Sequence, residues 1–295
     1  MPRLKLKNLK RAAIFAALFF GLSAASAALA KNVNRTETYQ DLIEKAYNLS
    51  LQKDRTQAVG LLVAGIRREG KKSVASKELL QALEKVATVF YSDKAQQLYE
   101  LGISLKTTDS AVALAKLQEA DRLEPENLSI TLELARISLS QNDCDAAENR
   151  MKKIKDLCDL LEEPKLVQSQ AQICLGQLED FQKTRSQIDL KKSAYALFWQ
   201  VVDVEAALKA GNFLKAKDGA VALQSVDSHF PEAYYWDWKA SQELKSKADV
   251  SAQKYLNNCK TLSARQIRNY SKEPSLCRHT TEVETFLKKM NNSEI

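Results

Sequence analysis

Between Ala95 and Asn127 apolar residues recur at helical spacing, with Leu98, Leu101, Gly102 and Leu105 on one stripe and Ala113, Leu117 and Ala120 on a second. Asp109 or Ser110 stands between the stripes as an N-cap, and Leu123-Glu124-Pro125-Glu126-Asn127 stops the second helix. The pattern predicts a helical hairpin. Small residues that let its two arms approach recur along the chain. Gly102 pairs with Ala113 at a spacing of 11, and Ala46 with Ala58, Ala135 with Ala147, Val204 with Ala216 and Ala240 with Ala252 at a spacing of 12. Each pair flanks a turn signal, such as Lys209-Ala210-Gly211-Asn212-Phe213. Hairpins are therefore predicted at about 36–69, 94–125, 127–157, 164–190, 193–227 and 231–262. The fourth is the least regular, with Gln172 at the small position and Asp180-Phe181 as its second helix start. Lys77–Tyr91 adds a helix outside the period. Beyond Leu262 the pattern is lost, and Gln266–Tyr270 and Thr280–Met290 read as cap helices. Strand-like alternation is absent, and eight Gly and five Pro in 295 residues suit a helical chain.

The Ala95–Asn127 unit resembles a tetratricopeptide repeat in the small residue late in its first helix, the alanine early in its second and the terminal proline. The fold class implied is all-α, a right-handed alpha-alpha solenoid of tetratricopeptide-like hairpins with an irregular C-terminal helical cap. The expected parts are 1–30, a cleavable signal peptide; 31–92, an N-terminal hairpin plus the extra helix; 93–262, the repeats; and 263–295, the cap. A compact bundle of the same hairpins gives no reason for a period near 33 to 36 residues. A solenoid does, because units add without enlarging one core.

The first thirty residues follow another pattern. Arg3, Lys5, Lys7, Lys10 and Arg11 precede the apolar run Ala12–Leu22, and Ser23–Ala30 is small and weakly apolar. This is the form of an export signal, cut after Ala30 to leave Lys31, or alternatively after Ala27. An uncleaved anchor is the competing reading. The segment changes the charge picture: the chain has 44 Lys and Arg against 37 Asp and Glu, but without its five cations the balance is 39 to 37. A near-neutral chain of this kind has no nucleic-acid footprint. The expected location is the periplasm, with membrane contact only through the signal.

Chemistry is sparse. There are two histidines, His229 and His279, and no P-loop, GxGxxG, HExxH or GxSxG, so no enzyme, cofactor or metal site is expected. Five cysteines are more informative, because an exported chain meets an oxidising compartment. Cys259 ends the last regular helix and Cys277 follows Glu273-Pro274-Ser275, so the chain can fold back and join them. A loop of about 19 residues closed this way is stabilised by roughly 3 kcal/mol in the chain-entropy model. A second bond is expected from Cys174 to Cys158 or to Cys144, with Cys158 preferred.

In tetratricopeptide proteins the first helix of each unit lines a groove. By that resemblance the groove residues are Gln96, Tyr99 and Ile103; Ser129, Leu132 and Arg136; Phe198, Val201 and Glu205; and Tyr234, Asp237 and Ser241, with Trp236 in the core. The implied function is an exported scaffold or adaptor holding a protein or peptide partner. The alternative is an accessory subunit of an envelope assembly or secretion machine. A cell-wall enzyme is the third reading, and no nucleophile with a base supports it.

Overall fold

The computed structural model describes residues 37–70, 73–106 and 108–293; the expected signal segment and its cut at Ala30-Lys31 lie outside them. The described residues are all-helical, with sixteen helices, no strand, and helical hairpins that succeed one another in a repeating arrangement. They form two compact units. One comprises the residues up to Gln96 with Leu123–Ser129; the other comprises Gln97–Arg122 and the residues from Ile130 on.

In the first unit, α1 (Tyr39–Leu51), α2 (Arg55–Glu69) and α3 (Val74–Thr88) pack on one another. Their starts are set by local chemistry. The Thr38 hydroxyl accepts the Asp41 N–H at 3.2 Å while the Asp41 carboxylate accepts the Thr38 N–H at 2.9 Å. Asp54 and Ser73 cap α2 and α3 in the same sense, each accepting an N–H at 3.0 Å. Leu42, Ala46, Ala58, Leu62, Ile66, Leu79 and Leu83 form the core. A Cβ at Gly65 would lie 2.9 Å from Leu42 Cδ1 and 3.4 Å from Leu79 Cδ1, so α2 meets α1 and α3 at glycine distance. A buried ion pair ties the unit's last loop to its turns. Arg55 Nη2 donates to Glu124 Oε2 at 2.8 Å and to the Val89 carbonyl, and its guanidinium lies 4.4 Å over the Tyr91 ring. Glu124 Oε1 takes the Tyr91 and Ser92 N–H groups at 2.6 and 2.7 Å.

Along the chain follow α4 (Asp93–Leu105), α5 (Ser110–Leu123) and α6 (Leu128–Ser140), with α5 ending at the Leu123-Glu124-Pro125 stop. A Cβ at Gly102 would be 2.7 Å from Leu117 Cγ and 3.2 Å from the Ala113 carbonyl oxygen, which is why this position carries no side chain. The second unit continues with α7 (Cys144–Lys153), the short α8 (Lys155–Leu160), α9 (Glu162–Cys174), α10 (Leu178–Arg185), α11 (Ala196–Lys209), α12 (Phe213–Val226), α13 (Pro231–Glu243) and α14 (Asp249–Thr261). Helix α9 packs on α7, α10 and α11; α11 on α12; α12 on α13; and α13 on α14. The small pairs Ala135 and Ala147, Val204 and Ala216, and Ala240 and Ala252 are all buried. The Lys209–Phe213 turn takes the form expected, with Gly211 at φ 73° and Asn212 capping α12 through the Lys215 N–H.

Two further helices, α15 (Ala264–Asn269) and α16 (Thr280–Ser293), follow the last hairpin. Helix α16 packs on α14, burying Val283 completely and setting Phe286 edge-on to Trp238 at 5.4 Å.

Candidate interaction site

Residues Tyr270–His279, between α15 and α16, form an irregular strap laid on the helices of the second unit. Its first residue is anchored by aromatic contact: Tyr270 meets Phe230 at 4.9 Å and donates its hydroxyl to Asp227 at 2.6 Å. Tyr270 and Leu276 join the apolar cluster of Val201, Val204, Ala216, Leu223 and Ala233. The backbone is held by side chains, with Lys106 Nζ donating to the Ser271 carbonyl at 3.1 Å and Glu232 Oε1 accepting the Cys277 N–H at 2.6 Å. At the far end Arg278 donates to the Ser140 carbonyl at 3.3 Å, and the His279 ring stacks on Tyr235 at 3.9 Å. Burial pushes the His279 imidazole down to about 4, against the attraction of Glu282, so it is neutral at pH 7.

The expected bond between Cys259 and Cys277 is present, with a Cα separation of 5.6 Å, and it fixes the strap to α14. The second bond corrects the expectation. Cys174 pairs with Cys144, also at a Cα separation of 5.6 Å, and not with Cys158. The start of α7 faces the end of α9, whereas Cys158 sits in α8 with its sulfur against the Met151 carbonyl. Cys158 is 1 % exposed, and burial first, then Asp159 and Glu148, push its thiol up to about 12. It is an inert core residue.

Beneath the strap lies a charge network. Arg136, 1 % exposed, donates to Glu133 and Glu163 at 2.6 Å each; Lys106 reaches Glu133 at 2.9 Å and Lys272 of the strap reaches Glu163 at 2.5 Å. Two carboxylates are thus shared by three cations. Burial alone would raise Glu133, but Arg136 and Lys106 outweigh it and hold the carboxyl down at about 2. Beside this network stand three carboxyls without such partners. Glu205 of α11, Glu232 of α13 and Glu273 of the strap are each raised above the usual range, by burial first; Glu273 adds repulsion to the other two. Glu232 and Glu273 are 0 % and 2 % exposed, and Oε2 of each makes no hydrogen bond to protein.

Next to the strap a cavity of about 370 Å³ opens among α6, α9, α11, α12, α13 and the strap. Leu139, Ile173, Leu208, Phe213, Trp236 and Pro274 supply its apolar lining, and Lys209, Lys239 and Arg278 its cations. Three buried polar atoms of lining residues make no hydrogen bond: the donor Trp236 Nε1, the acceptor Gln170 Oε1 and Glu273 Oε2.

The groove residues expected from the repeat resemblance divide into three sets. Arg136, Val201 and Glu205 do come together on the face under the strap, with Leu132 and Arg136 buried in α6. Phe198, Tyr234, Asp237 and Ser241 are buried elsewhere, which corrects the expectation of an open stripe. Phe198 packs with Leu166, Phe181 and Trp199. Tyr234 packs with Tyr235, Trp238 and Tyr255, while Asp237 accepts Ser251 Oγ at 2.6 Å. Tyr99, Ile103 and Ser129 are half-buried and Gln96 is exposed. In α13 the true face is Glu232, Trp236, Lys239 and Glu243, so Trp236 lines the cavity where a core position was expected. Their 4, 3, 4 spacing is a helical stripe legible in the sequence. Glu133, Glu163 and Gln170 carried no comparable signal.

Among the described residues no group of His, Cys, Asp and Glu is arranged to hold a metal, and no helix is long and apolar enough to cross a membrane. Neither a protein-family model nor a curated protein matches the chain. Among solved structures it is similar to a tetratricopeptide repeat protein from Parabacteroides merdae ATCC 43184, with 17 % identity, 86 % of this chain and 92 % of that chain covered, and a TM-score of 0.40.

Proposed function

We propose that the chain is an exported helical-repeat scaffold that binds a protein partner by taking one of its peptide segments into the cavity beside the strap. The observation that carries this reading is a mostly apolar recess that also holds charges of both signs, Lys209, Lys239 and Arg278 with Glu205 and Glu243. An apolar side chain of the partner fills the recess, and the charged residues of both signs around it pair with the partner's polar groups on either side. The export signal read in the first thirty residues and the two disulfides support a role outside the cytosol.

The test is affinity capture from an envelope extract with the oxidised chain, beside a Lys209→Glu/Phe213→Ala variant whose melting is unchanged. Loss of the captured protein in the variant supports the cavity; equal capture by both rejects it. Export is tested by N-terminal sequencing of the protein recovered from the periplasm, where Lys31 is the expected first residue and Met1 would refute cleavage.

A further inference from the structure

The strap is held in the manner of a bound peptide. Lysine and glutamate side chains take its main-chain carbonyl and N–H groups, an aromatic residue enters an apolar slot, and a lysine two positions later pairs with the half-buried Glu163 carboxylate. Two features distinguish it from ordinary core. Glu273 brings a third carboxyl beside Glu205 and Glu232, leaving an Oε2 unpaired on both Glu232 and itself. Cys277 has a φ of 57°, a left-handed conformation uncommon for a non-glycine residue. Thus Tyr270, Lys272 and Leu276 are well satisfied whereas Glu273 keeps an unpaired carboxyl oxygen, and a covalent bond from Cys277 to Cys259 fixes the strap.

We infer that Tyr270–His279 is a tethered stand-in for a partner peptide, and that the face it covers binds a segment of another protein with the same pattern once the Cys259–Cys277 bond is broken. The partner segment carries an aromatic residue for the Phe230 slot, a lysine two residues on for Glu163, and an exposed carbonyl between them for Lys106. Opening requires a dithiol. One thiolate attacks a sulfur of the Cys259–Cys277 bond and displaces the other; the second thiolate then releases the first cysteine. The dithiol leaves as its own disulfide, having given two electrons, and both cysteines take up protons. The chain itself keeps the strap at a high effective concentration over this face, and the bond is a further tether that must be lost before a free peptide can compete. This rests on the reading of the second unit as a peptide-binding scaffold; the strap walls the cavity through Pro274 and Arg278, and the face inferred here is the one beneath the strap.

The probe is a fluorescein-labelled peptide with the sequence of residues 268–281 and serine at the Cys277 position, followed by anisotropy. The proteins are the oxidised mature chain, a Cys144→Ser/Cys174→Ser variant that keeps the strap bond, and a Cys259→Ser/Cys277→Ser variant. Saturable binding to the last at least tenfold tighter than to the first two supports the inference. It is also expected that Lys106→Glu added to the open variant abolishes that binding. Hydrogen exchange at amides 271–279 guards against a misfolded variant: protection unchanged by loss of the bond means the strap does not leave, and overturns the inference. Faster exchange there, with the other helices protected and no peptide bound, overturns it as well. Binding to the open variant together with failure of the cavity test leaves the strap proposal standing and removes the cavity; the reverse pair removes the strap alone.

Discussion

Replacing Glu273 by glutamine tests the electrostatics of the buried carboxyls most directly. The folded chain holds Glu273 above the ordinary value of 4.5, because burial opposes its charge more than Ser275, Lys106 and Arg136 support it. Below pH 4.5 both folded and unfolded chains carry the proton, and the group sets no pH dependence. Above it the unfolded chain releases the proton while the folded chain keeps it, so stability falls as pH rises until the folded group also titrates. The loss is about 1.4 kcal/mol for each pH unit across that window for one group. Glutamine has nearly the same shape, keeps an acceptor for the Ser275 N–H and hydroxyl at 3.0 and 2.6 Å, and cannot ionise. It also removes a repulsion acting on Glu205 and Glu232. The Glu273→Gln chain is therefore expected to match the wild type near pH 4.5 and to exceed it increasingly as pH rises, until the folded carboxyl itself ionises, read by urea unfolding with strap-proximal tryptophan fluorescence. A stability difference that does not change with pH, or one that grows against the variant, would refute the reasoning.

In the first unit, Arg55→Ala leaves Glu124 buried without its partner, and a loss of about 3–5 kcal/mol is expected by calorimetry. Two glycine-to-alanine changes should have opposite signs although helix propensity favours both. Gly60→Ala, with nothing within 4 Å of the new Cβ, gains roughly 0.5–1 kcal/mol, whereas Gly102→Ala, 2.7 Å from Leu117 Cγ, loses about 1–3 kcal/mol in chemical denaturation. Iodoacetamide is expected to leave the folded oxidised chain unmodified, to label one cysteine of five after denaturation alone, and to label all five after reduction, as counted by intact mass. Two free thiols beyond Cys158 would disprove one of the bonds.

The hairpins were legible because they rest on short-range rules. A stripe of apolar residues, a cap such as Asp143 or Asn212 and a stop such as Leu123-Glu124-Pro125 act within a few residues, and the helices begin and end where these signals stand. The small pairs were legible for the same reason, since an antiparallel hairpin brings together residues at a fixed spacing. The face of each helix was less so. In α13 nearly every residue from Pro231 to Ser241 is apolar, aromatic or buried, and Trp236 interrupts the polar stripe of Glu232, Lys239 and Glu243, so the repeat register points instead to Tyr234, Asp237 and Ser241. Packing of α12 and α14 against that side leaves Glu232, Trp236 and Lys239 on the other.

Residues alone determined the all-helical class, the hairpin order and the bond that closes the chain's end, because Cys259 and Cys277 are near neighbours across a cap too short to reach elsewhere. Tertiary structure decided the rest. Which cysteine met Cys174 depended on α7, not α8, presenting its start to the end of α9. That an inner face would be filled by Tyr270–His279 depended on contacts spanning 165 residues, such as Lys106 to Ser271. Periodicity describes one helix and its next neighbour; it holds no information about which distant segment a buried carboxyl or a lysine will meet.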